Sequence, residues 1–90
     1  MKLHDLKTWP VAFQPMWDNL KDFEYRLNDR GYHVGDFLLI REYDPNTEEY
    51  TGRVIFFVIK YVLLGGVFGI PDDYCIMSLR RLKSEEHYVL

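Results

Sequence analysis

Three charged residues, Lys21, Glu24 and Arg26, stand close together in the run Lys21 to Asp36, KDFEYRLNDRGYHVGD. Lysine and arginine contact phosphate or carbonyl oxygens, and glutamate accepts hydrogen bonds from a base amine, so the set suits recognition of a nucleotide. The bland alternative is that the three pair with one another at the surface, a contact of small energetic weight. Phe23, Tyr25 and Leu27 alternate with Asp22, Glu24, Arg26 and Asn28. In a strand the two sets point to opposite faces, so the apolar one can pack while the charged one carries chemistry. Asn28-Asp29-Arg30-Gly31 then reads either as a rim that fixes a ligand or as a turn whose Asp bonds its own backbone. Asp36, after Gly35, reads as a structural turn residue.

Other residues can join this set. His4 and Lys7 precede a helix start and can line the same cleft, although a lone His is more often structural. Trp9 can stack on a base, but a Trp beside a helix start more commonly fills the core, and Trp17 is assigned to the core. Tyr74 and Ser78 can reach a ligand from the last strand. Arg80-Arg81-Lys83 reads as a solvated strand end beside Glu85 and Glu86, or as a phosphate-contacting edge. His4, His33 and His87 lack metal-ligand spacing, and the lone Cys75 sits in an apolar run where a thiol is inert packing, so neither metal nor cofactor is expected. Ser78 and Ser84 lack a nucleophile elbow, and Leu64 to Ile70 lacks the Lys-Ser/Thr ending of a phosphate loop.

The elements that must position these residues follow from periodicity. Lys2 to Lys7 alternates as a first strand. Pro10 suits a helix start, and Phe13, Met16, Trp17 and Leu20 fall on one stripe of a helix from Pro10 to Leu20, with a kink or 3₁₀ turn expected at Pro15. Asp36 to Tyr43 is a strand, Asp44 to Glu49 a turn, and the chain restarts at Tyr50 to Arg53. Val54 to Val62 has the apolar composition of a strand buried on both faces. Leu63 to Asp73 is a Gly-rich connection with room for one helical turn. Tyr74 to Leu82 is the last strand, and Lys83 to Leu90 a charged tail prone to fray. A strand, a helix and then hairpin-joined strands suit an α+β, mainly β domain, a small barrel of about five strands with a helix against it.

Composition narrows the function classes. Ninety residues make one small domain, residues 1–90, and 48% hydrophobic with 17% aromatic residues is too apolar for disorder. A formal charge of −3 argues against gripping nucleic acid through bulk positive charge, so any such contact is local. One cysteine suits a reducing cytoplasm, and residues 1–14 lack the apolar core of a signal peptide. The run Val54 to Ile70 contains Lys60 and three glycines and is shorter than the roughly 20 apolar residues of a membrane span, so no membrane is expected.

The spacing K-x-x-E-x-R at Lys21, Glu24 and Arg26, followed by Val34-Gly35-Asp36, resembles the ASCH group of the PUA-like superfamily. The wider run adds His4-x-Leu6-Lys7, Phe13, Asn28-Asp29-Arg30, Leu39-x-x-Glu42 and Tyr50-Thr51-Gly52-Arg53. In this it is similar, over nearly the whole chain, to that group's bacterial and phage branch, the DUF3850 family. One departure is Asn19, where the family usually has Gly; Asn is the next-best left-handed helix terminator.

The resemblance implies a PUA-like pseudo-barrel with a cleft between the helix and the strands, binding RNA or a modified nucleoside or nucleotide. The ligand-binding candidates are Lys7, Lys21, Glu24, Arg26, Asn28, Asp29, Arg30 and Tyr74. Related ASCH proteins include an amidohydrolase that deacetylates N4-acetylcytidine with a Lys matching Lys21 and a Thr three residues on. Here Glu24 replaces that Thr, so Lys21 and Glu24 are the catalytic candidates if the chain is an enzyme. A third expectation is a phage-type inhibitor whose partner is another protein. Oligomeric state stays open.

Overall fold

In the computed structural model, residues 1–89 are described; Leu90, the last residue of the expected charged tail, lies outside them. Strand β1 spans Leu3–Thr8, helix α1 Pro10–Trp17, β2 Phe23–Leu27, β3 Phe37–Asp44, β4 Glu49–Leu64 and β5 Tyr74–Arg81, followed by a 3₁₀ helix at Ser84–Val89. The five strands form one sheet in the order β1-β3-β4-β5-β2. β1 runs parallel to β3, and the other pairs are antiparallel. The fold is thus mainly β, a curled half-barrel with one short helix, as the hairpin pattern led us to expect. Among the described residues no helix is long and apolar enough to cross a membrane. Residues 54–64 of the apolar run belong to β4.

The core follows strand periodicity. Leu38 and Ile40 of β3, Ile55, Phe57 and Ile59 of β4, and Cys75, Met77 and Leu79 of β5 share one buried face with Phe13 and Met16 of α1. Their neighbours on the other face of β4, Phe56 and Val58, are only half-buried. The strand expected to be buried on both faces is therefore covered on one, because an antiparallel sheet needs only one packed side. β4 also changes phase. Ile59 pairs with Leu79 and Tyr61 with Ser78, so Lys60 is an extra bulge residue. Beyond it the core-facing residue is Val62, and Tyr61 is exposed.

Helix α1 is shorter than its apolar stripe suggested. Asn19 adopts a left-handed φ of 60°, and the Pro15 carbonyl accepts from Leu20 N and Lys21 N at 2.8 and 3.1 Å, which closes the helix. Leu20 lies beyond this stop and is 81% exposed. Pro15 is accommodated within the helix. Trp17, assigned to the core from sequence, is instead a rim residue: it stacks on Phe13 at 5.8 Å, with the guanidinium groups of Arg53 and Arg81 over its ring at 4.8 and 5.7 Å. Cationic guanidinium planes suit an indole face that one side of the core leaves open. The Leu63 to Asp73 connection holds no helical turn; left-handed backbone at Gly66, Phe68 and Gly69 carries it round.

No backbone ladder joins the edge strands β1 and β2. Side chains bridge them. Arg26 Nη2 donates to the Lys7 carbonyl at 2.8 Å and to Thr8 Oγ1 at 3.1 Å, and Arg30 Nη1 donates to the Asp5 carbonyl at 3.0 Å. These contacts satisfy carbonyls that an open edge would otherwise present to solvent.

Candidate functional site

Strand β2 carries its charges inward. Glu24 is 4% exposed, whereas Tyr25 is 49% exposed and Phe23 and Leu27 are similarly open. Alternation separates the two sets correctly, but the expected orientation is reversed. The reason is pairing. A buried carboxylate is tolerated only when its oxygens are satisfied, and here both are: Lys21 Nζ donates to Glu24 Oε1 at 3.1 Å and Arg26 Nε to Oε2 at 2.6 Å. The three residues singled out by spacing form one ion-pair triad.

Arg26 is the pivot of this triad. Its Nε is spent on Glu24 and its Nη2 on β1, so the guanidinium plane is held at three points. Nη1 has no protein acceptor among the described residues, which leaves two N–H donors in a fixed direction. Beside it opens a cleft of about 380 Å³ whose lining includes Lys7, Thr8, Trp9, Glu24, Tyr25, Arg26 and Tyr74. Trp9, favoured for the core from sequence, is 56% exposed and faces this space. Tyr25 and Tyr74 stack on each other at 5.1 Å with ring planes 24° apart. Lys7 Nζ rests 4.3 Å from the Tyr43 ring centroid.

The remaining candidates are placed elsewhere. Lys21 lies on the other side of Glu24 and lines a second pocket. Asn28 Oδ1 accepts from Tyr32 N at 3.3 Å, which makes it a turn residue. Asp29 is exposed and 4.0 Å from Arg30 Nε, and Arg30 is engaged with β1. None of these three lines the cleft. Their sequence neighbourhood to Arg26 does not carry over, because the chain turns away from the cleft after Leu27. His4 is structural: its Nε2 lies 2.9 Å from Asp36 Oδ2, and Lys2 N and His33 N donate to the same carboxylate at 3.1 and 3.2 Å. Burial alone would raise the Asp36 pKa, but the hydrogen bonds from His4, Lys2 and His33 outweigh it and hold the carboxyl below its ordinary value.

A second buried carboxylate, Glu42, lies on β3. Glu42 accepts from Arg53 Nε and Nη2 at 2.9 and 2.8 Å and from Thr51 Oγ1 at 2.7 Å. The Arg53 hydrogen bonds are the main reason its pKa lies below the usual glutamate value, against the opposing effect of burial. Arg53 Nη2 also reaches Gln14 Oε1 on α1 at 2.8 Å. Thr8, which accepts from Arg26, stands in register with Glu42, so the two glutamate–arginine pairs flank β1's last residue. In the sequence Glu42 and Arg53 stand out only through the family resemblance; a Glu and an Arg eleven residues apart across a hairpin turn are the local signal for the pair. Among the described residues no three His, Cys, Asp or Glu side chains gather as metal ligands.

No curated protein matches the chain. The family described as a domain of unknown function, DUF3850, matches residues 3–79, a stretch that contains the triad, the cleft and both glutamate–arginine pairs. This chain belongs to the DUF3850 family.

Proposed function

We propose that the cleft binds a single nucleobase, presented by a free modified nucleoside or nucleotide or by an unpaired residue of RNA. The observation that carries this reading is that Arg26, its Nε held by the Glu24 carboxylate and its Nη1 without a protein acceptor among the described residues, lines the same cleft as Trp9 and the stacked Tyr25–Tyr74 pair. A guanidinium donor next to a carboxylate acceptor complements a base edge with a ring-nitrogen acceptor beside an exocyclic amine, as N3 and the N4 amine of cytosine. Each carboxylate oxygen accepts two hydrogen bonds, so Glu24 retains capacity after its two internal pairs. Aromatic faces supply stacking that any base can use. The cleft volume of about 380 Å³ falls at the small end of ligand sites and fits one base with its sugar. A chain of net charge −3 whose arginines are largely ion-paired suits one base better than a long backbone. Placement in the ASCH group of the PUA-like superfamily belongs to the same proposal. The amidohydrolase alternative gains nothing from Lys21, whose ammonium is held by Glu24 outside the cleft.

The test is an amide-resolved NMR titration with nucleosides, N4-acetylcytidine among them, nucleotides and short single-stranded RNAs. Shifts centred on Trp9, Glu24 to Leu27 and Tyr74 support the reading, and ligand preference separates monomer from polymer. No movement at millimolar ligand overturns it and directs attention to a protein partner.

A further inference from the structure

The second pocket, on the opposite side of Glu24, has a different character. About 330 Å³ in volume, it is lined by four cationic side chains, Lys21, Lys60, Arg80 and Arg81, and one carboxylate, Asp22, while Glu24 and Glu86 pair with Lys21 and Arg80 and leave Lys60 and Arg81 as its cations without an ion-pair partner among the described residues. The chain as a whole carries −3, so this is a local reversal of sign. Its floor is the core residues Met16, Phe57 and Leu79, a low-dielectric wall that strengthens the field above it.

The four cations come from three separate parts of the chain, and the fold spends irregular features to bring them together. Lys21 follows the left-handed stop at Asn19. Lys60 is the bulge residue of β4, with no partner in register between Ile59 and Tyr61, and a bulge re-aims the side chain it carries. Among the described residues Lys60 makes no ion pair or side-chain hydrogen bond. Arg81 is fixed by Nη1 to the Trp17 carbonyl and Asn19 Oδ1, both at 3.1 Å, which leaves its Nε and Nη2 without a protein acceptor among the described residues. Arg80 is clamped by Glu86 through both terminal nitrogens at 3.0 and 3.1 Å, and its Nε is likewise unused.

We infer that this pocket is an anion site that takes a phosphate group, with Lys60 as its uncommitted donor and Arg81 as its fixed one. A tetrahedral dianion offers several acceptor oxygens to donors converging from different elements, which matches donors arriving from β4, β5 and the α1–β2 connection. The site stands independently of the base cleft, since it shares no lining residue with it. Phosphate can arrive free, on a nucleotide or in an RNA backbone.

The experiment is an amide-resolved titration of the full chain with inorganic phosphate at constant ionic strength, using chloride as the control, repeated with a nucleoside, its 5′-monophosphate and a short RNA. Phosphate is expected to shift Asn19 to Asp22, Lys60, Arg80 and Arg81 saturably, and Lys60→Ala to weaken it about tenfold. The same variant is to keep the response of Trp9 and Tyr74 to nucleoside. A 5′-monophosphate moving both pockets identifies a nucleotide source, and an RNA moving them where the monomer does not identifies a backbone source. Shifts spread evenly over Lys2, Lys7 and Lys83, or an unchanged affinity in both Lys60→Ala and Arg81→Gln, overturn the inference. If phosphate binds here and no nucleoside touches the cleft, the phosphate site survives and the base reading alone falls.

Discussion

Arg26 Nη2 lies 2.8 Å from the Lys7 carbonyl oxygen, the shortest of the hydrogen bonds by which Arg26 and Arg30 reach from the β2 side to the free edge of β1. The same guanidinium neutralises the buried Glu24 at 2.6 Å. Arg26 thus has a structural duty as well as a binding one. Arg26→Ala leaves a buried carboxylate short of its stronger partner and is expected to cost about 3 kcal/mol, the range for removing one member of a buried pair. In urea unfolding, the double variant Glu24→Ala/Arg26→Ala should lose less than the sum of the single variants, because the orphaned charge has gone. Strict additivity would show that the pair is not coupled.

Trp9 offers a cleaner probe of the cleft. It occupies the N-cap of α1 without a side-chain hydrogen bond to the helix. Trp9→Ser supplies the missing cap and should leave stability unchanged or raise it by about 0.5–1 kcal/mol. Binding of a nucleoside should weaken by about 1–3 kcal/mol through lost stacking. Calorimetric titration beside thermal melting separates the two effects, and unaltered affinity would remove Trp9 from the site.

Acid stability follows from the buried carboxylates. Glu42 and Asp36 both titrate below their ordinary values of 4.5 and 3.8, Glu42 mainly through Arg53 and Asp36 through hydrogen bonds that outweigh its burial. A depressed folded-state pKa means stability that is fully present above the unfolded value and lost as pH falls through the folded one. The melting temperature should therefore drop as pH falls below about 4.5, with Asp36 adding to the loss further down. Glu42→Gln should lower stability at neutral pH by about 1–3 kcal/mol and flatten the first part of that slope. A slope identical to that of the parent would exclude Glu42 as its source.

Gly65 begins the connection that delivers Tyr74 to the cleft. A Cβ there would lie 1.9 Å from the Pro71 carbonyl oxygen and 2.6 Å from that of Tyr74, both backbone atoms that cannot step aside cheaply. Gly65→Ala is expected to cost about 1–3 kcal/mol and to weaken nucleoside binding by displacing Tyr74. Gly52, with a φ of 96° but no atom within 4 Å of such a Cβ, provides the comparison: strain without collision. Gly52→Ala should lower the melting temperature and leave binding intact.

Cys75 is fully buried in the core, and burial pushes its thiol pKa up. A thiol reagent should modify it only on global unfolding, at a rate set by the unfolding equilibrium. Rapid labelling of the folded chain would mean that β5 opens locally.

The linear sequence already contained the strand character of β3, β4 and β5, the turn residues between β3 and β4 and the triad Lys21, Glu24 and Arg26, because β-branched and aromatic composition, turn chemistry and short-range spacing are local properties. It determined that β2 has an apolar face and a charged face. Which face turned inward was a tertiary decision: Glu24 is buried because Lys21 arrives from the helix end and Arg26 anchors on β1, nineteen residues away from Lys7 in the chain. The same holds for Trp9 and Trp17, whose burial depended on how little of the half-barrel an eight-residue helix covers. Lys60 became a pocket residue only through a register slip against β5, and Glu42 found Arg53 only through the β3–β4 pairing. Period and spacing act within a few residues, whereas the direction of a face and the partner of a charge are settled by elements that meet from far along the chain.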